Sequence, residues 1–488
     1  MKTITIIGAG LGGLTSGALL AKYGYSVTIL EQHNIVGGSS TTFKRKGGFT
    51  CEVGLHEMDS AYKDENKKKI FETLGVYDNV EFIQVPEFFR LKSGKIDITV
   101  PDDKEEALAL LSEKYPEEKG ALKTYFTLLK DISDELQKVS TASWWQLLLF
   151  PLIFKNLSTY RTKSVKEVMD KLFKSEELKL VLNTNVGYYN DTIKDFSFLY
   201  HCAAQHSYFN GGGWYIKGGS QKLSDYLASV IKDNGGKVFT KADVLEIRKT
   251  GKTAHAVVYK HKREVKEIKS DIVISNLSPQ STYALADIEY EEKKTIASSL
   301  NTVYIGFNKN IRSLYGKRAY STFIFPNIFS IDAYDKVVTG PVEKRAFVFV
   351  DYSQIDSGLT SDDKSFGAIC TIDHIADWKD LSKEAYKKKK ASVVAAYLDV
   401  LEKEYPNIRE HIAFAELGTA MTMQHYLRTP EGTPYGYAPT SKQFFTPKVA
   451  TSKELENLYF VGAWVLGGGF SPAISSGALC YGEILKRG

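Results

Sequence analysis

The run Thr-Ile-Thr-Ile-Ile followed at once by Gly8-Ala9-Gly10-Leu11-Gly12-Gly13 constrains this chain more than any other stretch. Five β-branched residues make a short strand, GxGxxG makes a tight turn, and Leu14, Ala18 and Ala21 then recur at helical spacing up to Tyr23. Gly24 ends that helix, Ser26 to Leu30 reads as a second buried strand, and Glu31 stands just past its end. This is a βαβ unit in which Gly8 permits the turn, Gly10 lets a pyrophosphate approach the backbone, and Gly13 lets helix pack closely on strand. The helix N-terminus offers phosphate its free N–H groups and the positive end of its dipole. Glu31, 18 residues after Gly13, can accept hydrogen bonds from ribose hydroxyls and would repel a ribose phosphate, which argues against NADP. The fingerprint alone leaves NAD and FAD both open.

At 488 residues the chain is long enough for roughly two or three domains. Pieces of strand, glycine and helix character recur. GGSQKL at 218–223 opens a helix with Leu223, Leu227, Val230 and Ile231 on one face, stopped by Gly235-Gly236, and NLYFVGA at 457–463 precedes a last helix starting around Pro472. The expected class is therefore α/β: a discontinuous Rossmann-type nucleotide-binding domain (1–95, 206–290 and 421–488) with an inserted mixed α+β substrate domain (96–205 and 291–420). Residues 102–135 are charged and helical in pattern, whereas 300–352 hold strand-like runs such as NTVYIGF and RAFVFVDY. The lysine runs at 67–69 and 387–390 read as solvated helix faces.

Composition narrows the partners. A net charge of +5 over this length does not describe a protein that coats nucleic acid. Cys51, Cys202, Cys370 and Cys480 lie far apart with no CxxC pair, so neither a zinc site nor a disulfide framework is expected, and a reducing compartment fits. The N-terminal residues lack the pattern of a signal peptide. His201 and His206, five apart, lack the helical spacing of a metal pair and read as structural; no metal is expected.

Downstream of Glu31 the chain reads EQHNIVGGSSTTFKRKGGFTCEVGLH, where Gly37-Gly38 and Ser39-Ser40 add a second place for backbone to approach a large ligand. Here it resembles the flavoprotein superfamily of amine oxidases and phytoene desaturases, whose acidic residue is followed by a Gly-Gly turn and a G-F-x-x-x-x-G segment, matched by Gly48-Phe49 and Gly54. GGSQKLSDYLASVIKDNGG is similar to the family's GG-x-x-x-L helix, and ADVLEIRK places Val244 where that family touches adenine through its backbone. NLYFVGAWVLGGGFSPAISSGALCYGEIL is similar to the C-terminal motif that runs beside the flavin. The resemblance implies FAD, held by Gly8, Gly10, Gly13 and Glu31, by Gly37, Gly38 and Ser39, by Val244, and by Gly462 and Ala463. In one departure, Ala463 stands where many relatives carry Asp or Glu.

Within the superfamily, VGLHEMD and HYLRTPEGTPYGY resemble the carotenoid isomerase, retinol saturase and phytoene desaturase branch. That branch implies hydride exchange through flavin N(5) with carbon–carbon double bonds of a long apolar polyene or isoprenoid lipid, and an external electron donor or acceptor. His56 is a candidate proton donor, with a structural role as the alternative; Glu57 beside it tunes that histidine or faces solvent. Tyr435, Tyr437 and Trp464 are candidate substrate-lining residues, with packing the other reading for the tyrosines. Two rivals remain: a lipid-binding escort like the Rab GDP dissociation inhibitors, which share the architecture without flavin, and an amine oxidase, disfavoured because neither its aromatic cage nor a cysteine for covalent flavin is recognisable.

Val139 to Phe154 (VSTASWWQLLLFPLIF) carries no charge and is too short to span a bilayer, which needs about 20 residues. It is either a buried core helix or, as Trp144-Trp145 and the following Lys155, Arg161, Lys163 and Lys166 favour, a monotopic dip into one leaflet. A cytoplasmic protein peripheral at the inner face of a membrane is expected.

Overall fold

The computed structural model describes residues 2–140, 142–446 and 450–487. Its centre is a five-stranded parallel sheet in the order Lys237–Phe239, Ser26–Leu30, Thr3–Ile7, Ile272–Ser275, Leu458–Phe460. Numbered along the chain this is 3-2-1-4-5, the doubly wound arrangement that opens a crevice at the carboxyl ends of its strands. The helix Leu11–Tyr23 is buried from Leu11 through Ala21. It can be so apolar because the sheet covers one side, while the helices Gln221–Asp233 and Phe470–Arg487 pack against it from others. Gly24, at φ 107°, ends it by donating its N–H to Ala21 O at 3.0 Å.

Three glycines set how closely these pieces approach. A Cβ on Gly13 would stand 2.3 Å from Gly8 O, one on Gly12 2.5 Å from Gly462 N, and one on Gly477 2.8 Å from Gly12 O. The first turn, the residue beyond the last strand and the last helix thus meet backbone to backbone.

A second sheet holds seven strands in the order Ile412–Gly418, Ser299–Phe307, Ser365–Asp373, Phe347–Asp351, Ser321–Phe325, Phe89–Ser93, Ile96–Val100; only the pair 321–325 with 89–93 is parallel. Alternation decides its faces. Val303, Ile305 and Phe307 share a core with Val393, Tyr397 and Leu401 of the helix Lys383–Glu404, while Tyr304 joins the core on the side of the parallel sheet. On this strand membership we propose the two-domain division, with Phe89–Val100 counted with the second sheet. A helical lobe lies alongside. In its longest helix, Lys119–Val139, Leu122, Phe126, Leu129 and Ile132 form a buried stripe, and Tyr125 Oη meets His201 Nε2 at 2.9 Å. Burial pushes the His201 pKa down to about 3, so this is a neutral histidine in a packed core.

The uncharged stretch is not a core helix. Trp144–Leu148 and Phe150–Ile153 are two short helical pieces, and Trp144, Leu148 and Leu152 are 74%, 73% and 78% exposed. Thr141 of this stretch lies outside the described residues. Phe150 is half-buried against the core and Phe445, and Phe154 and Leu157 are fully buried in it. Among the described residues no helix is long and apolar enough to cross a membrane.

Gly477→Val is expected to destabilise the protein by at least about 1–3 kcal/mol, because the branched side chain must separate two backbones that now touch. Gly482→Ala on the same helix, where an added Cβ meets nothing within 4 Å, is expected to leave stability unchanged or slightly raised. Denaturant midpoints of the two variants check this.

Candidate active site

A cavity of about 320 Å³ opens at the carboxyl ends of the parallel strands. Gly8, Gly10, Glu31, Gly37, Gly38, Ser39, Val244, Gly462 and Ala463 all line it, together with Tyr435 and Trp464. Gly13 does not; it stands behind the loop, where it allows the contact with Gly8. Glu31 is fixed at the rim: Oε2 accepts from Ala9 N and Oε1 from His33 N, each at 2.8 Å. Each oxygen keeps a lone pair for a further donor. Gly37 donates its N–H to Ala9 O at 2.8 Å and adopts φ 123°, with Ser40 O so near that a Cβ would stand 2.2 Å from it. This second turn is pressed onto the first. No side chain caps the helix that starts after Gly10, and its first turn holds no acid, so its N–H groups are left for an anion in the cavity.

Sequence reasoning missed Asn276, which follows the fourth parallel strand and lies across the glycine loop. Its Nδ2 is 2.4 Å from where a Gly10 Cβ would be, and its Oδ1 is 2.5 Å from that of Gly462. Oδ1 is buried with no hydrogen-bond partner among the described residues, an acceptor left over at the cavity wall. A signal was present: the strand IVIS ends at Ser275, directly before Asn276, and Ser278-Pro279 begins a helix that Ser278 caps through Ser281 N. Also missed was the segment 423–429 beside Glu31. There Gln32 Nε2 donates to Tyr426 O at 3.1 Å and Arg428 pairs with Asp243 at 2.6 Å. The Gly462 N–H already donates to Ser476 Oγ at 2.7 Å, so that donor serves the protein.

A second cavity, of about 540 Å³, meets the first at Gly54, Tyr435, Gly469 and Phe470. Tyr188, Tyr189, Tyr200, Tyr208 and Phe444 give it an aromatic wall to which Leu466 adds an aliphatic side chain, and exposed Lys63, Glu65, Asn66, Gln137 and Asn210 form its mouth. His56 and Glu57 both border it. Tyr437 and Trp464 do not. Gly436, at φ 73°, packs on Ala463 O and turns the chain, so Tyr437 donates instead to Glu292 at 2.7 Å and meets Trp464 edge-on.

The titratable groups on this wall differ. His56 Nδ1 lies 3.2 Å from Tyr352 Oη, which itself donates to Leu55 O at 2.7 Å, and burial pushes the histidine pKa down to about 4. Burial, with Glu87, Asp102 and Asp59 nearby, holds the Glu57 carboxyl well above the usual range. Burial also opposes charge on Asp59, but Lys67, Ser207 and Ser471 outweigh it and hold that carboxyl below its ordinary value. Lys67 thus corrects the expected solvated face: its side chain is fully buried, with Nζ donating to Asp59 O and to Ser471 Oγ at 2.5 Å. It ties the cavity wall to the first turn of the last helix.

The sheet order, the glycine cradle with its rim glutamate, and a second sheet beside an aromatic cavity define a Rossmann-type dinucleotide-binding fold joined to a second, mainly antiparallel sheet. Residues 6–74 match the family model of the NAD(P)-binding Rossmann-like domain. The chain is 25% identical to all-trans-retinol 13,14-reductase of Danio rerio over 99% of its own length and 86% of that protein. It is 26% identical to chloroplastic prolycopene isomerase of Daucus carota (97% and 78%), and 25% identical to 4,4'-diaponeurosporene oxygenase of Staphylococcus aureus (97% and 96%). Among solved structures, putrescine oxidase shares the fold at TM-score 0.64 and 15% identity (100% of this chain, 99% of that one). Rab GDI of Plasmodium falciparum shares it at 0.55 and 12% (99% and 98%). The resemblance to the retinol saturase and carotenoid isomerase branch therefore runs the length of the chain.

Glu31→Ala is expected to weaken dinucleotide binding by roughly 1.5–3 kcal/mol for each charge-assisted hydrogen bond lost to the ligand, at least about tenfold in Kd. Titration of the apoprotein measures it, and unchanged affinity would remove Glu31 from the ligand's contacts.

Proposed function

We propose that this protein is an FAD-dependent oxidoreductase or isomerase acting on carbon–carbon double bonds of a long apolar polyene or isoprenoid lipid. The observation that carries the reading is the meeting of a nucleotide cradle and an aromatic cavity at Gly54, Tyr435, Gly469 and Phe470. Bound FAD would supply hydride exchange at N(5). The N–H groups of the first helical turn, with Gly8 and Gly10, hold the pyrophosphate, and Glu31 takes the ribose. Val244 meets the adenine, while Gly37, Gly38 and Ser39 close the second backbone contact. Gly462, Ala463 and the start of the last helix attend the flavin end. The tyrosines of the second cavity flank the chain of conjugated carbons and exclude water. The relatives reported above, named for retinol and carotenoid chemistry, support the same substrate class.

The exposed Trp144, Trp145, Leu147, Leu148, Leu149 and Leu152 form the surface by which the protein lies on a membrane, at its inner, cytoplasmic face. The helix Lys119–Val139, whose Asp134 and Gln137 border the cavity mouth, leads into this surface, so a lipid-soluble substrate has a short path from leaflet to cavity. Lys155 and Arg161 are exposed for anionic headgroups; Lys163 and Lys166 are already paired with Glu167, Asp170 and Asp332. Electrons come from or go to an external partner, since one dinucleotide fingerprint is present in the sequence.

The holoprotein is expected to carry stoichiometric, noncovalent FAD and, once reduced anaerobically, to saturate or isomerise retinol-like or carotenoid-like polyenes, read by chromatography and mass. A colourless folded protein would favour the escort, and peroxide release from amines the amine oxidase. Leu148→Asp with Leu152→Asp is expected to release the protein from anionic liposomes with flavin content unchanged; sedimentation with liposomes measures it, and retained binding would contradict the membrane surface. NADH and NADPH are expected to reduce the bound flavin slowly or not at all in anaerobic stopped flow. Fast saturable bleaching would contradict a substrate-committed cavity.

A further inference from the structure

Two acids on one cavity wall stand in opposite circumstances. Asp59 has Lys67, Ser207 and Ser471 as partners. Glu57, two residues earlier and on the same cavity, has none among the described residues: its Oε2 is shut off from solvent and lies toward the backbone of Gly213, where a Cβ would stand 3.0 Å away. The next residue along, Gly212, faces Asp102 in the same manner, 2.6 Å from Oδ2 to a Cβ position. Glycine at both positions leaves bare backbone between the two carboxyls. Glu87, half-buried, accepts from Tyr320 N at 2.5 Å on the same side.

We propose that Glu57 is the proton-carrying catalytic residue of this enzyme, a carboxylic acid on the wall of the substrate cavity. The assignment rests on the double-bond chemistry proposed above and names the group that serves it. In saturation the substrate π bond breaks, a hydride from the reduced flavin forms one C–H bond, and the Glu57 proton forms the other. The substrate gains two electrons, the flavin loses two, and an external two-electron donor reloads it. Glu57 is left as a carboxylate and takes a proton back from solvent. Desaturation runs the same transfer in reverse, with Glu57 as acceptor.

The surroundings favour the neutral form. The groups facing Glu57 are Glu87, Asp102 and Asp59, the hydroxyls of Tyr188, Tyr189, Tyr208 and Tyr320, and His56. The nearby cation Lys67 is engaged by Asp59, and Lys317 acts on Glu87. Burial beside three acids is the arrangement that keeps a carboxyl protonated at neutral pH. His56 is the weaker donor. The Tyr352 hydroxyl spends its proton on Leu55 O, so the hydrogen-bond network assigns Nδ1–H to the histidine and leaves Nε2 an acceptor on a neutral ring.

Infrared spectroscopy of the substrate-free holoenzyme near neutral pH tests this without turnover. A protonated-carboxyl C=O band is expected in the difference between the wild-type and Glu57→Gln spectra, which removes the contribution of other buried carboxyls such as Glu52 and Asp351, with flavin content unchanged. In turnover, Glu57→Gln is expected to lose about 100-fold or more and Glu57→Asp to recover part of that loss. Wild-type and Glu57→Gln spectra that match in the carboxyl region overturn the proposal, as does a turnover loss that follows substitution of His56 rather than Glu57. A wild type that shows the band but converts no polyene overturns the functional reading instead.

Discussion

Backbone packed directly on backbone around the first strand is the constraint on which the rest of this structure depends. Gly8, Gly12, Gly13 and Gly477 bring the first turn, the residues after the last strand and the C-terminal helix to contact distances that no side chain could share. Residues more than four hundred positions apart thereby build one cradle. The cost is conformational: glycine loses more freedom on folding than any other residue, and the surrounding buried apolar core must offset it. In return the cradle presents N–H groups and a rim glutamate in fixed positions before any ligand arrives.

The second organising feature is how charge is handled where the cradle meets the aromatic cavity. Lys67 is taken fully out of water, Asp59 partly, and both are hydrogen-bonded, which anchors the last helix to the cavity wall through Ser471. Glu52, nearby, is buried yet holds the start of the helix Gln221–Asp233 through Ser220 N at 2.8 Å and Ser220 Oγ at 2.5 Å. Against these satisfied groups, the unpartnered carboxyl of Glu57 and the unpartnered amide oxygen of Asn276 stand out, one on each cavity. Buried polar atoms are almost always paired, so unpartnered atoms at the walls of two joined cavities, the hydroxyls of Tyr188 and Tyr189 among them, mark where ligands complete the structure.

Local sequence carried much of the architecture. The β-branched run, GxGxxG and Gly24 specify strand, turn and helix from neighbours alone, and the lines Gly8 to Glu31 and Gly37 to Ser39 come together as their spacing implies. What depended on distant packing was not legible. Lys67 sits in a lysine run and reads as solvent-facing, because nothing local announces Asp59 and Ser471 around it. Tyr435 and Tyr437 look equivalent on paper, yet the turn at Gly436 sends only the first to the substrate cavity. The Trp144 to Ile153 stretch has the composition of a core helix, and only the exposure of Trp144, Trp145, Leu147 to Leu149 and Leu152, with Phe150 alone of its large side chains reaching the core, separates that reading from an exposed surface.

The central claim is that the two cavities form a single reaction chamber, with cofactor on one side of the Gly54–Tyr435–Gly469 junction and substrate on the other. The most direct measurement is a crystal structure of the FAD-loaded protein with a non-reactive polyene. The account predicts the adenosine end at Glu31 and Val244, the flavin ring at the junction, and the polyene along Tyr188, Tyr189 and Tyr208 with a double bond over N(5). A polyene bound away from that wall, or a nucleotide lying in the opposite sense, would contradict it.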